Sequence, residues 1–436
     1  MVNQRVLIRG GRIFDGERLI NADVRLSDDR VVEIAESLSS GPGETVLDAS
    51  DGVVSLSLCD LHTHTRLPGD GEAETLEGVT WSALLGGYSV LVSMANTTPV
   101  IDRVDRVHAI RELYARSAIT FEVGASVTLE RAGERLVDFN ALTRAGVRWF
   151  SDDGSPVEDG LLLEGALRAS RQYGFVVAQH AQDRSLARDG VINEGEFSDR
   201  TGVPGMPELA ESAMVARDLE IVRSVGGRYH LMHVSSLASV ALINRAVRDG
   251  LSVTAEVTPH HLYFDDEFLY RFDANLKVNP PIRSTSTRDA LREAFLKGEI
   301  QIVATDHAPH PPWTKEASYR DAPFGLIGLQ SAWSATLSST WDHTDSSGAV
   351  VRSLRALSTE PRRLLGLPYR LEVGVTGDLS VFLPDQLVTL RADQIASASV
   401  NAPYVGETLR GSVRHVVVGG VPLVVDGELM RDGGMR

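Results

Sequence analysis

Cysteine is almost missing from this chain: among 436 residues only Cys59 carries a thiol. A single thiol excludes an internal disulfide and fits a reducing compartment. Lysine is nearly as scarce, with three (Lys277, Lys297, Lys315) among the 43 basic residues, so residues 1–276 hold none. Positive charge is short overall: 43 Lys and Arg face 59 Asp and Glu, for a formal net charge of −16. That balance argues against a nucleic-acid partner, which calls for a basic patch. Long apolar runs are lacking too. Stretches such as Val416-Val417-Val418 and Leu423-Val424-Val425 fall far below the roughly 20 residues of a membrane helix. The first fifteen residues alternate as a strand into a Gly10-Gly11 turn, without the basic-then-apolar pattern of a secretory signal. The expectation is a cytoplasmic protein with no membrane partner.

The length suggests about three domains at roughly 150 residues each, although one α/β barrel alone takes about 250. A chain this long buries a large core without disulfide or metal staples. Its two ends resemble each other and differ from the middle. Residues 1–53 and 372–436 show short alternating strands between Gly and Asp turns, the pattern of a β-sandwich. Neither end is long enough for its own core, so the two are expected to pair as one composite β-sandwich. Residues 54–371 instead alternate apolar strands with helices. Candidate strands are 53–62, 89–96, 120–126, 147–151, 175–180, 229–233, 252–256 and 302–306, with helices at 161–173, 208–225, 238–249 and 287–296. Eight such units predict a (β/α)8 TIM-type barrel in the α/β class. No G-x-G-x-x-G follows the first strand and no phosphate-loop motif occurs, so a nucleotide-binding open sheet has little support.

Polar chemistry gathers at the ends of these strands. His62 and His64 form His-Thr-His on one face of the first strand, Asp152-Asp153 follow the fourth, and His180, His233 and Asp306 end the fifth, sixth and eighth. In a barrel these ends converge on one mouth, where active sites of this fold are built. Four histidines and two aspartates exceed the three protein ligands of one catalytic zinc, which points to two metals sharing a bridge. The bridge must be anionic. With no lysine before position 277, a carbamylated lysine cannot supply it at the fourth strand, and Asp153 or its neighbour Asp152 must serve. Adjacent strand residues face opposite ways, so only one of the two points inward.

These motifs resemble those of the class I dihydroorotases of the amidohydrolase superfamily. The resemblance is carried by Asp60-Leu61-His62-Thr63-His64-Thr65-Arg66, Met94-Ala95-Asn96-Thr97, Phe150-Ser151-Asp152-Asp153-Gly154, Gln179-His180-Ala181, His233-Val234-Ser235, Asn279-Pro280-Pro281-Ile282-Arg283 and Ala304-Thr305-Asp306-His307-Ala308-Pro309-His310. It runs over nearly the whole chain. It implies a (β/α)8 barrel with a composite sandwich, zinc as cofactor (two ions), and reversible cyclisation of N-carbamoyl-L-aspartate to dihydroorotate in pyrimidine biosynthesis. Carried over by position, His62, His64, Asp153 and Asp306 hold one zinc, and Asp153, His180 and His233 the other. Asp306 also shuttles the proton. Arg66, Asn96 and His310 grip the substrate carboxylate beside His64, with Asn279 and the backbone at Phe324-Gly325 nearby. The resemblance leaves open a homo-oligomer and an aspartate transcarbamoylase partner, neither of which the sequence decides.

Departures from the family pattern are Leu56-Ser57 before the first strand's Asp, Leu67 after Arg66, and Gln182-Asp183 where an acidic pair is common. Leu67 adjoins the substrate arginine, so it bears on substrate identity more than on reaction type. Two other readings remain: a hydantoinase- or allantoinase-like cyclic-amide hydrolase, and a non-catalytic scaffold for a transcarbamoylase. The first lacks a use for Arg66, and the second is a role in which ligands are typically lost, whereas here all are present. His230, His260, His261 and His307 read as core histidines or partners behind the ligands, His108, His343 and His415 as surface or packing residues, and Cys59 as a small buried hydrophobe. Residues 310–325 read as a long loop, either a lid or a plain connection.

Overall fold

The computed structural model describes residues 5–430 and 435; residues 1–4, 431–434 and 436, the outermost part of the expected terminal sandwich, lie outside them. Eight parallel strands form one sheet: Leu58–Thr63, Tyr88–Ser93, Thr120–Ala125, Trp149–Phe150, Val176–Gln179, Arg228–Leu231, Val253–Val257 and Ile302–Val303, each beside the next. Strands such as Tyr88–Ser93 are buried at every position, as expected of a parallel sheet covered on both faces. The first and last strands meet through a parallel bridge from Thr63 to His307, with His64 N–H donating to His307 O at 2.8 Å. Asp60 reinforces this seam by accepting from Thr305 N at 2.8 Å and Thr305 Oγ1 at 2.7 Å. The sheet therefore closes as a (β/α)8 barrel.

Helices cover it by their apolar faces. Helix Gly160–Tyr173 buries Leu163, Ala166, Leu167 and Ser170, one stripe at helical spacing. Asp159 caps its start by accepting from Leu161 N, and Gly174, at φ +81°, ends it in the left-handed conformation that glycine adopts without Cβ strain.

Both chain ends build the remaining sheets. A four-stranded sheet takes Arg5–Arg9, Asp23–Ser27, Arg30–Ala35 and Thr45–Asp48, and a seven-stranded sheet joins N-terminal strands to Leu379–Thr389, Thr408–Val418 and Val421–Val425. Val6, Ile8 and Val24 of the first share one core with Val54, Leu379 and Val417 of the second. The expected strand at 53–62 is in fact two. Val53–Leu56 pairs antiparallel with Leu379–Thr389 in the terminal sheet, and only Leu58–Thr63 enters the barrel. Both stretches are apolar and buried, so hydrophobicity alone gave no sign of the change of sheet at Ser57. No helix among the described residues is long and apolar enough to cross a membrane.

Candidate active site

His62 and His64 leave the first barrel strand on one side and meet two carboxylates. Their Nε2 atoms lie 3.3 and 3.2 Å from Asp153 Oδ2, and 3.3 and 3.1 Å from Asp306 Oδ1. The other oxygen of Asp153 faces the second pair: His180 Nδ1 is 3.4 Å and His233 Nε2 3.6 Å from Oδ1, and these two nitrogens are 2.8 Å apart. One buried carboxylate thus spans two histidine pairs. Potential ligand atoms of His62, His64 and Asp153 form one compact group, and those of Asp153, His180 and His233 a second. Asp306 adjoins the first. His233 and Asp306 hold left-handed backbone, at φ +33° and +48°. Non-glycine residues keep that conformation only where surrounding structure enforces it, typically at functional sites.

Asp152 and Asp153 divide their tasks. Asp152 turns away and accepts from Val127 N at 2.8 Å, Thr128 N at 3.1 Å and the Thr128 hydroxyl. Arg131 donates to the backbone carbonyls of both aspartates. The turn is thereby clamped with Asp153 inward.

The ring nitrogens of His62, His64 and His180 that face away from the cluster have partners, which fixes the tautomers of these imidazoles. His62 Nδ1–H donates to Glu256 Oε1 at 2.9 Å, whose Oε2 meets His230 Nε2 at 3.0 Å, and His230 Nδ1 reaches Thr254 Oγ1 at 2.8 Å. His64 Nδ1–H donates to Asn96 Oδ1 at 2.9 Å, so Asn96 orients a histidine. His180 Nε2–H donates to Gln182 Oε1 at 3.0 Å.

The electrostatics favour a cation. Burial opposes a charged His62, yet Asp306 and Asp153 outweigh it and hold its pKa well above the ordinary histidine value. Burial likewise works against an ionised Asp153, but the charge of His62 and the facing rings of His180 and His233 keep it well below the usual carboxylate range. Glu256 is brought down to about 2, its burial overcome by His230 and His62. His62 Nε2 and Asp153 Oδ1 are buried without a hydrogen-bond partner, which costs about 1–3 kcal/mol for each such group. Bound metal would use both atoms, and imidazole with carboxylate is a donor set suited to a divalent ion such as zinc.

Arg66, at φ +57°, points its Nε–H at Pro309 O, 3.0 Å away. Its Nη2 is 3.3 Å from His310 Nε2, but that ring nitrogen already donates to Phe324 O at 2.7 Å. Burial, followed by the Arg66 charge, pushes His310 down to about 3 and keeps it neutral. Among the described residues Arg66 has no carboxylate at ion-pair distance, so the outer edge of its planar fork is free for one. Leu67 packs against the barrel core. Leu67→Glu is therefore expected to change kcat/KM for dihydroorotate by less than about tenfold, or about 1.4 kcal/mol; a larger change would make Leu67 a determinant of substrate choice.

Asn279 donates through Nδ2 to Gln182 Oε1 at 2.7 Å, while its Oδ1 is buried without a partner. The Phe324–Gly325 backbone is engaged within the protein, Phe324 O by His310 and Gly325 N by Lys277 O at 2.9 Å. The 310–325 segment is tied down by Lys315 Nζ, which donates to Ala274 O at 2.9 Å and Pro323 O at 2.8 Å, and by Lys277 Nζ on Arg320 O at 2.6 Å. His261 and His307 are bonded within the core, whereas both nitrogens of His260 are buried without partners. His415 is also buried and bonded, His108 and His343 are exposed, and burial pushes the Cys59 thiol up to about 12. Sequence reasoning did not single out Glu256; its one signal was a carboxylate inside an otherwise uncharged strand.

Comparison with known proteins agrees with this geometry. The model of the "Dihydro-orotase-like" family matches residues 52–239. A dihydroorotase of Leifsonia xyli is 39% identical, with 100% of both chains covered. One from Macrococcus caseolyticus is 35% identical over 95% of this chain and 97% of its own length. Among solved structures, an L-hydantoinase (dihydropyrimidinase) from Arthrobacter aurescens superposes with a TM-score of 0.87, covering 100% of both chains at 20% identity. At that identity the likeness speaks for the fold. Full-length similarity, the composite fold and the paired histidines around one aspartate agree, and the chain belongs to the dihydroorotase family.

Proposed function

We infer that the mouth of the barrel holds two zinc ions, one on His62, His64, Asp153 and Asp306 and the other on Asp153, His180 and His233. The observation that carries this reading is the placement of Asp153, with one oxygen toward each histidine pair. The reaction is the reversible cyclisation of N-carbamoyl-L-aspartate to dihydroorotate in pyrimidine biosynthesis. Zinc bound there would activate a water and polarise the ring carbonyl. Asp306 takes the proton of the attacking water and delivers it to the ring nitrogen as the amide bond breaks; in cyclisation the same proton runs back and water leaves. Arg66 binds the ring's carboxylate, with Asn96 and neutral His310 beside it, and Asn279 offers its free Oδ1 to a substrate N–H.

Purified active protein is expected to carry up to two zinc ions per chain by elemental analysis, and well under one would overturn this reading. Metal retention should also fall with acidity. Carboxylates raise the pKa of both His62 and His64 against the effect of burial, so protons compete with metal from above the ordinary histidine value of about 6.5. Zinc release on titration from pH 8 to pH 5 measures this, and undiminished binding at the acid end would contradict it. Assay with dihydroorotate, a hydantoin and allantoin side by side tests the substrate, with dihydroorotate expected to dominate.

A further inference from the structure

Gln182 follows the fifth barrel strand and is half-buried at the mouth. Its backbone is held on both sides: Gln182 N lies 3.2 Å from Met214 Sδ, and Asp183 N donates to Ala210 O at 2.8 Å, both on or beside helix Leu209–Val225. From this fixed position Oε1 meets two donors, His180 Nε2 at 3.0 Å and Asn279 Nδ2 at 2.7 Å. The two donor nitrogens are 3.3 Å apart, side by side on one acceptor. A His180 that keeps Nδ1 bare for a metal carries its proton on Nε2, and the carbonyl of Gln182 is then the atom that accepts it, with Asn279 Nδ2 as the second donor.

This arrangement has two consequences. With its proton committed to Gln182, His180 presents a bare Nδ1 to Asp153 and His233. With Nδ2 committed to the same oxygen, Asn279 keeps its unpartnered Oδ1 as an acceptor. We propose that Gln182 is a positioning residue that couples the second metal-binding pair to the substrate contact Asn279 through one shared carbonyl oxygen. The proposal rests on the two-zinc reading above. Gln182 touches neither metal nor reacting atoms; it acts by orienting two residues that do.

Zinc affinity by chelator competition and KM for dihydroorotate test it together. Gln182→Met keeps the length and removes the acceptor. It is expected to loosen the zinc assigned to His180 and His233 by about 10- to 100-fold, the usual effect of losing a partner behind a metal ligand, and to raise KM. Gln182→Glu keeps an acceptor for both donors and should stay close to the parent in both measurements. Should Gln182→Met fail to fold, Gln182→Ser, too short to reach either donor, carries the same expectation. A double-mutant cycle of Gln182→Met with Asn279→Ala should be non-additive in KM, because the first change already frees Asn279. Parent-like zinc affinity and KM in the Met or Ser variant, or strict additivity in the cycle, overturns the coupling. A parent enzyme that itself takes up no zinc instead refutes the two-zinc reading.

Discussion

Asp306→Asn is expected to fold, to keep the Asp153-centred histidine pairs, and to lose about 10²- to 10⁴-fold in turnover, the range typical of a positioned acid–base group. The amide copies the carboxylate's shape but cannot accept a proton from water. In the parent, burial would push the Asp306 carboxyl up, but His62 and the His64 hydrogen bond overcome it and hold it well below the ordinary carboxylate value. It therefore enters the hydrolytic direction ionised, as a base must. Cyclisation draws on the opposite protonation state, because the oxygen expelled from the substrate's carboxyl group needs a proton to leave as water. The two directions should accordingly show different pH profiles in the parent. Measuring kcat both ways, with zinc content checked on the same preparation, separates proton transfer from metal loss. Parent-like turnover in Asp306→Asn would refute the assignment.

Arg66→Ala should cost about 1.5–3 kcal/mol with dihydroorotate, the worth of a hydrogen bond to a charged group, or about 10- to 150-fold in kcat/KM. Dihydrouracil is the same ring without the carboxylate, and it should show a much smaller loss. Arg66→Lys should also be impaired, since an ammonium keeps the charge and loses the planar fork. The geometry supports this expectation: among the described residues the Arg66 guanidinium donates to Pro309 O from one edge and meets no carboxylate, and the nearest nitrogen of His310 is already committed to Phe324 O. Equal losses on the two rings would show that Arg66 is a structural residue.

Much of this protein was legible in the sequence. Apolar strands alternating with amphipathic helices specify a layered α/β fold, because each element must bury one face, and eight such units without a nucleotide-binding motif point to a barrel over an open sheet. Polar residues placed where those strands end mark the mouth. The missing lysines leave an aspartate for the place between the two histidine pairs. The resemblance of the motifs then named the chemistry. Tertiary structure decided the rest. Nothing in Asp152-Asp153 says which carboxylate turns inward; the choice is made by Val127, Thr128 and Arg131, which bind Asp152 and the carbonyls of the turn from another loop. The split of 53–62 between two sheets is set by pairing with Leu379–Thr389, more than 300 residues away in sequence. The partners of the histidines, Glu256 behind His62 and Asn96 behind His64, come from other strands and loops. Periodicity and spacing record how a segment meets its own neighbours in sequence, so they fix the elements and the end of the barrel that works. A hydrogen bond between distant segments exists only once the barrel has closed, and there the orientation of each ligand is determined.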